Sequence, residues 1–442
     1  MAKCANVIMG GPEHPMPADP SRFTQAMPNN DPRASRTIIS HCRPFDSRRG
    51  TLGPLSSIVV EGERIVEVVD EPRQAEGAVQ IDAGGRVVVP GLIDAHVHVM
   101  AVSHDFWRLA AQPPSLITAL TKPVLEGMLQ RGFTTVRDAA GADFGLQQAV
   151  QRGLFEGPRL YISARALTQT GGHADVRPQG VQELVCACAG LGLVGMIADG
   201  DAEVRRAVRE QIRNGANQIK IMAGGGVASP TDPIDGTQYS LGELTAICEE
   251  AAAANTYVMA HAYSPRSIVR AVRAGVRSIE HGNLLDEDSA QAMKEEGAFL
   301  VPTLATYAAL GDEGAKLGWS ETMLQKLERV RERGTEAIAL AKGLGVPIAF
   351  GTDLLGHMHE RQLNEFALRS AVQTPTEILQ SATHVAAQLL RAEGQIGVLA
   401  AGALADLLVL EGDPTQSVAL WADPVRNILL LMQGGRVVRS GL

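Results

Sequence analysis

Between residues 90 and 394, short apolar runs recur, each followed by a loop and then a helix-like segment. The runs cover 91–95, 134–136, 160–163, 218–222, 257–260, 277–279, 298–301 and 347–350. Short runs bounded by turn residues read as buried strands. The segment 202–214 carries Val, Ala and Ile on one face and Arg and Glu on the other. Asp201 stands as its N-cap and Gly215 as its stop. Eight such units over about 300 residues predict an α/β fold, a (β/α)8 TIM-like barrel. The long, Gly-rich segment 170–200 reads as a lid-like loop after the third strand.

The two ends of the chain have a different texture. Val- and Ile-rich runs at 36–42, 57–60, 64–69 and 86–89 are matched by 406–410, 425–431 and 436–439. They predict one small β-sandwich domain built from both termini. Residues 1–33 hold Pro12, Pro15, Pro17, Pro20, Pro28 and Pro32 and no apolar period, so they read as an extended arm. The expected division is an arm (1–33), a small β-domain (34–90 plus 395–442) and a barrel (91–394).

Composition narrows the function classes. Lys and Arg total 40 against 49 Asp and Glu, a net charge of −9, which argues against nucleic acid and anionic membrane as partners. No apolar run is long enough to span a bilayer. Cys4, Cys42, Cys186, Cys188 and Cys248 follow no disulfide or zinc spacing. Reduced thiols and a cytoplasmic location are the expectation. Glycine, 46 of 442 residues, exceeds the usual share of about 7% and suits tight turns around a site.

The strongest chemical signal is His96-Val97-His98 at the end of the first barrel strand. Strand alternation sends both imidazoles the same way, and imidazole is a good ligand for divalent ions. His261, His281 and Asp353 end other apolar runs at what would be the same rim, where barrel active sites lie. Lys220 sits within Gln218-Ile219-Lys220-Ile221-Met222, where a free ammonium is costly. Two readings fit it: carboxylation by CO2 to a metal-bridging carbamate, or a lysine reaching the rim to pair with Asp353 or Glu280.

His96-Val97-His98, Lys220, His261, His281 and Asp353, in that order, resemble the amidohydrolase superfamily. Thr170-Gly171-Gly172-His173, 218–230, Gln238-Tyr239-Ser240 and Ala260-His261-Ala262-Tyr263 are similar to its imidazolonepropionase-related group of dipeptidases and ochratoxin-hydrolysing enzymes. The resemblance covers about residues 55–442. It implies two divalent ions, zinc first among Zn, Mn, Co and Fe. His96, His98 and Asp353 would hold one ion, and His261 and His281 the other, bridged by carboxylated Lys220. Asp353 would also shuttle the proton. His173 and Tyr263 become candidates for polarising the carbonyl or holding a substrate carboxylate; the alternative for His173 is a helix cap. Asp138 is expected to orient a ligand histidine. His357 and His359 are read as structural. His14, His41, His104 and His384 match no site pattern, His384 being assigned to a helix surface.

The implied activity is hydrolysis of an amide bond in a small molecule with a free carboxylate, releasing an amino acid. Dipeptides, N-acyl amino acids and ochratoxin A share that bond, and the ochratoxin-type activity is the specific expectation. The competing enzyme is a cyclic-amide hydrolase or a mononuclear deaminase, which would use one metal and no bridging lysine. A non-enzymatic assembly protein on the same barrel would lose metal ligands that this chain keeps. A homo-oligomer is implied, with the arm available to strap subunits.

Overall fold

The computed structural model describes residues 36–177, 180–181, 193–229 and 232–442. The arm at 1–33 and the middle of the 170–200 segment lie outside the described residues. Seven parallel strands carry the centre of the chain: β1 (Leu92–Val97), β2 (Phe133–Asp138), β3 (Arg159–Ile162), β4 (Ile219–Met222), β5 (Val258–Ala262), β6 (Ser278–His281) and β7 (Phe299–Val301). β1, β2 and β3 form one sheet, and β4 to β7 pair in chain order in another. Between the two, Asn217 N–H donates to the Ile162 carbonyl at 2.7 Å.

The eighth expected strand, 347–350, is not a regular ladder. Leu300 N–H donates to Pro347 O and Ala349 N–H to Leu300 O, both at 2.9 Å, while Ala95 N–H donates to Phe350 O at 2.7 Å. The segment thus runs between β7 and β1 on single bonds. Pro347 has no N–H to offer, which shortens the ladder where it would begin.

Helices separate successive strands and bury one face each against them. In Asp201–Arg213 the buried face is Val204, Ala207, Val208 and Gln211. Here Asp201 is the first helical residue and not the N-cap. Gly200, at φ +81, holds the cap position, and the Asp201 carboxylate pairs with Arg205 one turn on. Gly215 does follow the helix, at φ +87. Ile221, Ala260, Ile279 and Leu300 on the strands pack with Val208, Ile247, Ile268 and Ile338 on the helices. Truncating Ile279 or Leu300 to Ala would cost about 2–5 kcal/mol.

The ends of the chain share one nine-stranded sheet. Arg36–Asp46 pairs with Ser56–Glu61, Val79–Asp82 and Val87–Pro90, and Leu407–Leu410 lies between Val87–Pro90 and Ile428–Gln433. Arg36–Asp46 changes partners across an irregularity at His41, whose φ is +49. Ile39, Ile58, Val88, Leu407, Val409 and Leu430 form its core. The strand expected over 425–431 starts later, because Asp423 caps a short Pro424–Asn427 helix first. Cys42 and Cys248 are buried thiols, each pushed up to about 12 by burial. No helix among the described residues is long and apolar enough to cross a membrane.

Candidate active site

One cavity is lined by His96, His98, His173, Lys220, His261, Tyr263, His281 and Asp353, all eight candidates from the sequence. Its floor is polar. Phe106, Val176, Leu193, Val227, Leu310, Trp319 and Leu355 supply apolar walls.

β1 ends in the two histidines. The buried His96 sets its Nδ1 2.6 Å from Glu280 Oε2 and its Nε2 3.4 Å from Asp353 Oδ1. His98 Nδ1 meets the Ala140 carbonyl at 2.8 Å, and its Nε2 lies 3.1 Å from Asp353 Oδ1. Burial alone would lower the His98 pKa, but the Asp353 carboxylate outweighs it and raises it.

Asp353 is fixed by the turn that carries it. Its N–H donates to His96 O at 2.8 Å, and its φ is +55. Thr352 Oγ1 donates to Asp94 Oδ2 at 2.6 Å, and the same oxygen accepts from Gln362. Burial would raise the Asp353 pKa, but the surrounding histidines, His96 first, hold it well below the usual carboxylate range.

β5 and β6 bring His261 and His281. His261 Nε2 is 3.1 Å from the Gly225 carbonyl, and His281 Nδ1 is 2.8 Å from Thr303 Oγ1. Both are held well below the ordinary imidazole range. Burial is the largest cause; next come His173 for His261 and, opposing, Asp353 for His281. Lys220, on β4, is buried, and desolvation lowers its ammonium to about 8. Among the described residues it forms no hydrogen bond or direct ion pair, although the Glu280 and Asp353 charges partly oppose the desolvation.

His173 stacks on His261 with ring centroids 4.4 Å apart. Its backbone N–H donates to Gln238 Oε1, and Asp232 Oδ2 lies 3.3 Å from its Nδ1 without hydrogen-bond alignment. The loop that flanks it is clamped by Lys326, which donates to the carbonyls of Gly226, Ser229 and Asp232. The Tyr263 hydroxyl is 2.9 Å from that of Tyr307.

The donor set fits divalent ions. His96 Nε2 is buried with no hydrogen-bond partner among the described residues. Donor atoms of His96, His281 and Asp353 all lie within 4.8 Å of one another. Imidazole nitrogens and a carboxylate are the ligands such ions take.

Comparison with known proteins agrees with this geometry. Residues 87–438 match the amidohydrolase family. The chain belongs to it. An ochratoxinase from Aspergillus niger is 34% identical over 372 residues, covering 80% of this chain and 76% of the relative. A prolidase solved with N-methylphosphonate-L-proline superposes with a TM-score of 0.89 at 49% identity, over 92% of this chain and all of that one. A Xaa-Pro dipeptidase with methionine in its active site gives a TM-score of 0.83 at 28% identity, over 92% of this chain and 100% of that one.

This amidohydrolase is therefore a hydrolase acting on C–N bonds, with a small amide or peptide substrate. Its family and structural neighbours imply a (β/α)8 barrel with a β-sandwich domain. Metal dependence is typical of its superfamily.

Several residues around this amidohydrolase site were not expected. Glu280 binds His96 and also accepts from Arg137 Nη2 at 2.9 and 3.1 Å, with all three side chains buried. Burial raises the Glu280 pKa, but Arg137 and then His96 bring it down to about 2. Asp94, Asp232, Thr303 and Tyr307 complete the ring of supports. Asp138 does not meet a ligand histidine: its carboxylate accepts from the Val99 and Ala142 N–H groups, while the Ala140 carbonyl orients His98. His357 is exposed beside Glu313, and the buried His359 Nε2 lies 3.3 Å from Ala101 O. His384 opens the His384–Leu389 helix.

Proposed function

We propose that this amidohydrolase is a binuclear enzyme that cleaves an amide bond and releases a free amino acid. His96, His98 and Asp353 would hold one divalent ion; His261 and His281 would hold a second, with Lys220, as its CO2-derived carbamate, as the shared ligand. Zinc is the expected metal. The observation that carries the reading is Lys220, a buried ammonium with no hydrogen bond or direct ion pair among the described residues, in a cavity lined by four histidines of the ligand set and Asp353. A carbamate would exchange that unpaired cation for an anion matched to metal ions.

Bound divalent ions supply an acidified water and a polarised scissile carbonyl. Asp353 is the group within reach to accept the water's proton on a carboxylate oxygen and return it to the leaving amine nitrogen. His173 and the Tyr263 hydroxyl line the same cavity and are assigned to the substrate's carbonyl or carboxylate. The apolar walls keep bulk water from competing for these bonds.

The same reading takes the barrel as closed, the division as 1–33, 34–90 plus 395–442, and 91–394, and the protein as a cytoplasmic homo-oligomer. The likeness to an ochratoxinase and to Xaa-Pro-cleaving enzymes supports ochratoxin A, dipeptides and N-acyl amino acids as the substrate class. The test is hydrolysis of ochratoxin A and a panel of Xaa-Pro, Xaa-Phe and N-acyl substrates with added zinc. No turnover of any C-terminal amide would overturn the proposal.

One observation favours a second reading, a mononuclear deaminase. The tight donor cluster holds only His96, His281 and Asp353, a set suited to a single ion. Metal analysis decides: two ions per chain, reduced by Lys220→Ala, supports the binuclear enzyme. One ion, unaffected by that change, supports the alternative.

A further inference from the structure

Thr303 precedes the Leu304–Glu313 helix and occupies its N-cap position, yet its side chain makes no capping bond. Threonine is a preferred N-cap because its hydroxyl accepts an otherwise orphaned N–H of the first turn. Here that hydroxyl is 2.8 Å from His281 Nδ1. The first turn is satisfied from elsewhere. Glu365, from the Asn364–Arg369 helix, accepts the Ala305 N–H on Oε2 at 2.7 Å. Glu365 is fully buried, and its Oε1 has no hydrogen-bond partner among the described residues. A buried carboxyl in that state is costly unless it does something. Its helix is anchored by Phe366, whose ring lies 4.9 Å from Phe350 and 4.7 Å from Trp421.

We infer that Glu365 is a positioning residue for the metal site: by capping the Leu304–Glu313 helix across the fold, it frees the Thr303 hydroxyl to orient His281. The inference rests on the reading of His281 as a metal ligand. With Nδ1–H donating to the Thr303 hydroxyl, Nε2 is left as the donor to an ion, and supports of this kind are worth about 10–100-fold in metal affinity. The same helix carries Thr306, Tyr307 and Leu310 into the cavity wall, so its first turn sets that wall as well. Burial pushes the Glu365 carboxyl up to about 8, against the opposing charge of Arg369. Glutamine is therefore a close stand-in for its neutral form.

The test compares Glu365→Met, Glu365→Gln, Thr303→Val and the Glu365→Met/Thr303→Val double variant. Zinc affinity is measured by chelator competition and Tm on the metal-free chains. Ser320→Ala removes the cap of the neighbouring Glu321–Leu344 helix and serves as the control. Expected are losses of roughly 10-fold or more in zinc affinity for Glu365→Met and Thr303→Val, and recovery within about threefold in Glu365→Gln. The double variant should bind zinc within about threefold of the weaker single, since both act through His281. Ser320→Ala should lower Tm and leave zinc binding alone.

A Glu365→Met chain that loses Tm but keeps wild-type zinc affinity overturns the inference, as do losses that multiply in the double variant. Should Glu365→Met fail to fold, Glu365→Asp, whose shorter carboxylate withdraws from Ala305, carries the same comparison. Wild-type protein that binds zinc and hydrolyses no amide sinks the proposed function only. Wild-type protein that binds no zinc sinks both.

Discussion

Glu280 on β6 reaches across the strands to His96 on β1, with 2.6 Å between Oε2 and Nδ1 and Arg137 closing the other side of the carboxylate. An anion there holds the imidazole with its proton on Nδ1 and its free pair on Nε2, toward Asp353. Glu280→Gln keeps the shape and removes the charge. Zinc affinity should fall about 10–100-fold. Stability should drop by about 3–5 kcal/mol, since Arg137 is left as a buried unpaired cation. Titration calorimetry and denaturant unfolding check the two effects separately. Unchanged zinc affinity would mean that His96 is held by packing alone.

Glu365 gives the protein a stability slope with pH. Its folded-state pKa of about 8 lies above the ordinary 4.5. The folded state therefore holds a proton that the unfolded chain releases. Its contribution is fully present below about pH 4.5 and is lost as pH rises toward 8. The loss is on the order of 3 kcal/mol by pH 7. Glu365→Gln should remove this part of the slope, matching wild type at pH 5 and exceeding it at pH 8. Urea midpoints of the metal-free chains at the two pH values measure it, and equal differences at both would exclude the mechanism.

The sequence pattern reaches some of these features and not others. His96 and His98 are readable because they are two apart at the end of an apolar run, and strand alternation does the rest. Glu280 is not readable by that rule. Its neighbour His281 would face the opposite side of a regular strand, yet both contact the His96 ring or its nitrogen. The reason is His281's φ of +74, which breaks the alternation at the strand's last residue. Asp353 shares this left-handed backbone, as functional residues held by their surroundings often do. Glu365 reaches the Ala305 N–H through tertiary packing, across 60 positions of chain, and leaves no local signal. The one local signal for Glu280 is a carboxylate beside Ile279 just before His281. The sequence pattern puts the cap one position late, at Asp201, because a left-handed Gly200 can take it without a side chain.

His173 depends on a glycine. A Cβ on Gly226 would sit 1.8 Å from His173 Cε1, so no side chain fits while the ring keeps its stack on His261. Gly226→Ala should displace the ring and lower kcat/KM about 100-fold, the usual cost of an ångström-scale misplacement. The metal content should stay at wild-type level. Gly242→Ala is the control, because its nearest neighbouring atom is 3.9 Å away, in a helix that alanine favours. Wild-type kinetics in Gly226→Ala would remove His173 from the reaction.

Asp353 allows chemistry to be separated from backbone strain. At φ +55, a side chain is disfavoured unless it is Asn, Asp or Gly. Asp353→Asn therefore keeps the turn, including the N–H bond to His96 O, while removing the group assigned to move the proton. General acid–base catalysis is worth about 10²–10⁴-fold, so kcat at matched metal content should fall by that factor with Tm nearly unchanged. Asp353→Ala should lose the same activity and, in addition, about 1–3 kcal/mol of stability for an alanine held in a left-handed conformation. Neutralising the carboxylate also takes away the charge that raises the His98 pKa, so His98 should titrate lower in both variants, which NMR of the imidazole follows. Retention of more than about a tenth of kcat in Asp353→Asn would assign the proton transfer to another group, because a shuttle cannot lose its basic oxygen and keep working.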